Sequence, residues 1–134
     1  TGVQLEVGQN PTEFEHEPIE RTLAKCQRYY TRYTGNGTAY GPSFQGTYNG
    51  TTDVICIHRH TVPMRAAATF GFSQLSDFDI EAFDATPSAM ATFSHTGTDH
   101  HTVQITDPSS RTKGFAAVIC CDIDGGFYEF NAEL

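Results

Sequence analysis

Between Ile19 and Tyr30 apolar or semi-apolar side chains recur at Ile19, Leu23, Cys26 and Tyr30, a 4-3-4 spacing that draws one narrow stripe along a helix. The spacing predicts a short amphipathic helix over Glu17–Arg32. Pro18 fits its first turn, where a missing N–H costs nothing, and Glu17 and Glu20 place negative charge at the positive end of the helix dipole. Arg21, Lys25, Arg28 and Arg32 repeat the spacing on another face. Two readings of the apolar stripe stay open: a face laid on the helix's own domain, or a seam between subunits.

Beyond the helix the pattern changes to short runs of Thr, Val, Ile, Phe and Tyr punctuated by Gly, Pro, Asn, Asp and Ser, the signature of an all-β fold. Strands are predicted over residues 2–7, 52–58, 65–72, 78–84, 89–95, 101–106, 115–123 and 127–134, which suits an antiparallel β-sandwich. Ala66, Ala68, Phe70 and Phe72 alternate onto one face, as do His101, Val103 and Ile105, and Tyr128, Phe130, Ala132 and Leu134. These faces are expected to line the core. Residues 29–52, rich in Tyr and Gly, read as loop or hairpin.

Two strands break the alternation. In the run from Phe115 to Ile123 both faces are apolar, with Ala116, Val118 and Cys120 opposite Phe115, Ala117, Ile119 and Cys121. A second subunit could cover the outer face, or the helix or a loop of the same chain could. Asp77, Asp79 and Glu81, by contrast, line one face of their strand, which suits solvent or a hard cation such as calcium.

The chain of 134 residues suits one core. A formal charge of −8 works against phosphate backbones, so nucleic acid is not an expected partner. No apolar run reaches transmembrane length, and membrane insertion is not expected. Cys26, Cys56, Cys120 and Cys121 lack the paired spacing of a structural zinc site and read as buried free thiols, in keeping with assembly in a reducing cytoplasm.

Tyrosine joins a flat apolar ring to a hydroxyl, while Asn and Gln supply paired donors and acceptors, a combination that suits sugar rings. Tyr40, Tyr48, Asn36, Asn49 and Gln45 are therefore the candidate ligand contacts. His58 and His60, two apart on a strand, would aim both imidazoles to one side and are the candidate metal ligands, six rings around an axial ion in a threefold assembly. Neither Gly41-Pro-Ser43 nor Gly71-Phe-Ser73 completes a nucleophile elbow, and no cofactor-binding motif is present, so the reading is noncatalytic and without a cofactor.

Gly2-Val-Gln-Leu-Glu-Val-Gly8, Phe14-Glu-His-Glu-Pro18, Leu23-Ala-Lys-Cys-Gln-Arg-Tyr-Tyr30, Val62-Pro-Met-Arg65 and Phe130-Asn-Ala-Glu-Leu134, in that order, resemble the carboxy-terminal domains of bacteriophage tail-fibre, tail-spike and other virion structural proteins. The resemblance implies a jelly-roll β-sandwich, a homotrimer joined to upstream fibre or spike domains, and a virion location, with residues 1–16 as a terminal strand and linker from an upstream module and residues 17–134 as the helix and β-sandwich of a head domain. In that setting Ile19, Leu23, Cys26, Tyr30, Ala116 and Val118 are the expected trimer contacts. The expected function is attachment of the virion to host-surface glycans. The alternatives are a purely structural trimerisation or capping module, a head-fibre or decoration domain included, and an accessory domain of a carbohydrate-active enzyme.

Overall fold

The segment Tyr30-Thr-Arg-Tyr-Thr34 strings aromatic and β-branched residues together, and there the backbone turns from helix to strand. The computed structural model describes residues 16–37, 41–81 and 85–133, with Val7, Asn10 and Glu13, but not the side chains of residues 94–96. Helix α1 spans Ile19–Gln27 and strand β1 spans Tyr30–Thr34, so the helix ends earlier than its stripe predicts and Tyr30 and Arg32 stand on a strand. Pro18 is the residue before the first turn. No residue of α1 is buried: Ile19 is 74% and Leu23 55% exposed. The reading in which the stripe lies on its own domain is therefore overturned. Cys26 is exposed rather than a buried thiol, while Cys56, Cys120 and Cys121 are buried and free.

Eight further strands follow: β2 (Ser43–Tyr48), β3 (Asp53–Arg59), β4 (Thr69–Phe72), β5 (Phe78–Ile80), β6 (Ala89–Thr96), β7 (His100–Thr106), β8 (Ala116–Cys121) and β9 (Phe127–Asn131). Residues 29–52 are thus not merely loop, for they contribute β1 and β2. In β2 the alternation of Phe44 and Tyr48 with Ser43, Gln45 and Thr47 is interrupted to the eye by Gly46. The strand predicted from Arg65 begins only at Thr69 and leaves Ala66 exposed. Of the strand predicted over 2–7 only Val7 is described, and residues 82–84 and Leu134 also lie outside the described residues.

All strand pairs are antiparallel and form two sheets, ordered β1-β9-β4 and β5-β8-β2-β3-β7-β6. Their facing sides meet through rings: Phe44 lies 4.2 Å from Tyr128 and the His58 imidazole stacks on Phe130 at 4.6 Å, centroid to centroid. The fold is all-β, with one short helix. Every second residue turns inward, Val54 and Cys56 on β3, His101, Val103 and Ile105 on β7, and Ala117, Ile119 and Cys121 on β8. Burying each such apolar side chain contributes roughly 1.5–3 kcal/mol, and each ring pair about 0.5–1.5 kcal/mol beyond its area.

The doubly apolar strand divides unevenly. On its outward side Cys120 is buried, but Val118 is half-buried and Ala116 exposed, with Ile57 of β3, 60% exposed, on the same face. Gly46 faces inward opposite Cys56, and a Cβ there would run into the Ile55 carbonyl and the Cys56 sulfur. Gly46→Ala is expected to destabilise the fold by about 1–3 kcal/mol in urea unfolding. An unchanged midpoint would contradict the close approach of β2 and β3.

Candidate ligand-binding site

Asp107 begins an Asp-Pro-Ser-Ser segment, in which a short carboxylate bonds its own backbone two residues on and so closes a turn. Its Oδ1 accepts the Ser109 N–H at 2.7 Å, while Oδ2 accepts the Tyr48 hydroxyl at 2.6 Å and the Arg111 Nε–H at 3.0 Å. Asp107 is fully buried. Burial alone would raise its pKa, but the bonds from Tyr48, Ser109 and Arg111 outweigh that and hold the carboxyl below the usual range. Burial first, then the bond to Asp107, pushes the Tyr48 phenol up to about 12. Stripping partners from such a carboxylate costs about 3–5 kcal/mol, so this cluster fixes its neighbourhood.

That neighbourhood is the β2–β3 hairpin and the connection after β7. The Asp107 N–H donates to the Thr52 carbonyl at 2.8 Å and the Arg111 N–H to that of Thr51 at 2.6 Å. Residues 112–115 then form a turn closed by the Phe115 N–H on the Thr112 carbonyl, with Gly114 at φ +90°, the left-handed value that the third position of a type II turn requires. Two more backbone bonds, Gly114 N–H to the Tyr48 carbonyl and Tyr48 N–H to that of Phe115, clamp this turn to the end of β2. Lys113 is thereby carried at its tip.

Above the clamp opens a concavity of about 480 Å³ lined by Thr47, Tyr48, Asn49, Ile55, Phe93, Lys113 and Gly114. It lies on the outward side of the six-stranded sheet. Phe93 follows Thr92, whose hydroxyl is bonded to His101, and alternation turns the half-buried Phe93 ring the other way, beside a shift in the β6–β7 register. The concavity therefore offers an aromatic ring, an aliphatic wall in Ile55, the hydroxyl of Thr47, the amide of Asn49 and one ammonium group.

Of the candidate contacts, Asn49 and Tyr48 come together here. Tyr48 does so without its ring, which is 1% exposed and has its hydroxyl on Asp107, so it forms part of the support beneath and is not a stacking surface. Gln45 is exposed on the same outward face, between Val118 and Ile57. Asn36 is exposed in the loop after β1, and Tyr40 lies outside the described residues. Phe93, Lys113 and Asp107 were not nominated from sequence, although Asp-Pro-Ser-Ser and Lys-Gly are both turn signals.

The acidic row is regrouped. Asp77 closes the 3₁₀ turn Leu75–Asp77, buried, with hydrogen bonds from Ser73 Oγ at 2.6 Å and Gln74 Nε2 at 2.7 Å. Glu81 instead meets Cys120 and Asp122, with their ligand atoms within 4.8 Å of one another. A thiol with two carboxylates is a donor set that zinc accepts. Burial and then the Asp122 and Asp79 charges raise the Glu81 pKa, and burial with the same acidic neighbours pushes the Cys120 thiol up to about 12.

Comparison with family models, curated proteins and solved structures gave no match to this chain. Function is therefore read from the geometry.

His58 and His60 do share one side, but that side faces between the sheets. His58 packs against Tyr33, Phe44, Tyr128 and Phe130, and His60 lies edge-on to Phe130 at 4.9 Å. His101, opposite His58 on β7, completes an inward group, so the pair belongs to the packing and is not presented outward to an axis. His58 Nε2, both ring nitrogens of His60 and His101 Nδ1 are buried without hydrogen-bond partners. Burial, reinforced by mutual repulsion, lowers His58 and His101 to about 4 and also lowers His60.

These imidazoles are neutral in the fold, and in the unfolded chain they titrate near 6.5. Below about pH 6.5 the unfolded state binds more protons, so stability falls as pH drops toward about 4. For fully buried His101 the loss amounts to about 3 kcal/mol. Urea unfolding is expected to show this decline between about pH 7 and about pH 4.5, with a shallower slope in His58→Phe. A flat profile would mean that the imidazoles are hydrated.

Proposed function

We propose that this chain is a noncatalytic attachment domain that holds saccharide in the Phe93 concavity, carried as a jelly-roll homotrimer at the tip of a bacteriophage tail fibre or spike. The observation that carries the reading is the outward ring of Phe93 beside Asn49 and Thr47. A sugar presents an apolar C–H face to a ring and a fringe of hydroxyls to amides and hydroxyls, and the clamp on Asp107 holds the end of β2 that carries Thr47 and Asn49 in place before any ligand arrives. Preorganisation of this kind spares the ordering cost that a mobile loop incurs on binding. Host-surface glycans are the proposed ligand and the virion the proposed location, in keeping with the resemblance at both ends of the chain.

A second reading, a structural trimerisation or capping module, is favoured by one observation. Ile19, Leu23, Ile57 and Phe115 each expose more than half of their surface, and Ala116 is exposed as well. Such apolar area on a small chain is what an interface between copies covers.

Saturable binding to host polysaccharide is expected, weakened roughly twofold to tenfold in Phe93→Ala, since stacking on an aromatic ring is worth about 0.5–1.5 kcal/mol. Thermal unfolding of the variant checks that it folds. Sedimentation equilibrium is expected to give three times the chain mass. A trimer that binds no polysaccharide would leave the structural reading, and a monomer would remove the trimer from both.

A further inference from the structure

Sixteen acidic side chains against eight basic ones set the charge of this protein, yet no carboxylate lines the concavity. Its one charged lining residue is Lys113, which makes no ion pair among the described residues. Of the charged groups nearby, the Asp53 carboxylate, two residues before Ile55 on β3, accepts the Thr106 hydroxyl at 3.4 Å and lies outside the lining, and Asp107 and Arg111 pair with each other. Asp107 lies beneath, fully buried, with Arg111 against it.

Lys113 is also held where it stands. Its turn is closed by the bond from Phe115 to Thr112 and pinned to β2 by the two bonds with Tyr48, and Gly114 lets the chain reverse directly after it. Beside its turn, on the end of β2, stand Asn49 and Thr47, whose side chains bond neutral hydroxyls, and Phe93 joins them in the lining to carry a ring face. A neutral sugar uses the amide, the hydroxyl and the ring and leaves the ammonium idle. A sugar bearing a carboxylate uses all four, and meets no acidic side chain of the lining that would repel it.

On these grounds, and resting on the attachment reading above, we infer that the concavity takes an acidic saccharide, with Lys113 binding the carboxylate of a uronic or sialic acid unit and Phe93 carrying its ring. The lysine is a specificity residue: it selects the charged sugar over its neutral counterpart, while Phe93, Asn49 and Thr47 serve both. An exposed pair of this kind is worth about fivefold in affinity and is screened by salt.

The test is a titration of the intact chain followed by amide shifts in ¹H–¹⁵N spectra. Galacturonate, glucuronate and N-acetylneuraminate are compared with galactose, glucose and N-acetylmannosamine. The acidic members are expected to move the Thr47, Asn49, Phe93 and Gly114 signals at about fivefold lower concentration, with the advantage lost in Lys113→Gln and at about 0.5 M salt. In Lys113→Gln the readout is the ratio of acidic to neutral response, expected to fall to about one, and the variant's unperturbed spectrum elsewhere reports the fold. Equal response to acidic and neutral members, unchanged in Lys113→Gln, overturns the charge selection and leaves attachment standing. Response to neither, in wild type and variant alike, overturns attachment at this concavity and the charge selection with it.

Discussion

Phe130 is the ring on which the two sheets close. It is fully buried on the central strand of the three-stranded sheet and lies within 6 Å, centroid to centroid, of His58, His60, Phe70, His101 and Tyr128. Three of those five neighbours are imidazoles, whose charged form burial in this layer disfavours. The inner layer thus accepts histidine as an aromatic residue and keeps it so by burial. Ring nitrogens without partners are the cost of that choice, and they tie the stability of the sandwich to the proton.

The second constraint is the Asp107 carboxylate, which works from inside the fold on its surface. By taking the Tyr48 hydroxyl it fixes the end of β2, and by taking Ser109 and Arg111 it fixes the connection that follows β7. Backbone bonds from the same two segments then set the turn that carries Lys113. A buried polar group is here the reason that an exposed one has a defined position, because three satisfied bonds leave the carboxylate one arrangement.

Much of the fold was legible where side chains alternate without interruption. His101, Val103 and Ile105 declare their inward face, as do Tyr128, Phe130 and Ala132, and all six are buried. The reading failed where a local pattern met a stronger tertiary demand. Tyr30 continues the spacing of the helix, yet it pairs with Asn131 across from β9, and its hydroxyl donates to Glu129 at 2.5 Å. Gly46 hid a strand because its missing side chain is what lets Cys56 and the β3 backbone come close. The candidate site was half legible for a related reason. Composition pointed at Tyr48 for its ring, but in a two-sided strand only parity decides whether a ring meets solvent, and Tyr48 shares the parity of Phe44. Phe93, on the other parity of its own strand, takes the outward place.

The proposed assembly and the proposed ligand site draw on one face of the molecule. Ala91, Gln104, Ile55, Thr47 and Ala116 stand in one cross-strand row of the six-stranded sheet, and Thr102, Ile57, Gln45 and Val118 in the next. Ile55 and Thr47 line the concavity, while Ile57 and Val118 are the apolar side chains that a second copy would cover. Adjacent rows are about 7 Å apart, less than the reach of one side chain plus its neighbour, so a partner seated on Ile57 stands at the rim of the ligand site. In the proposed trimer, association through this face would either occlude the concavity or add a wall to it. In the second case the concavity gains depth only in the assembled protein, and ligand binding and oligomerisation become linked, each strengthening the other by the same factor.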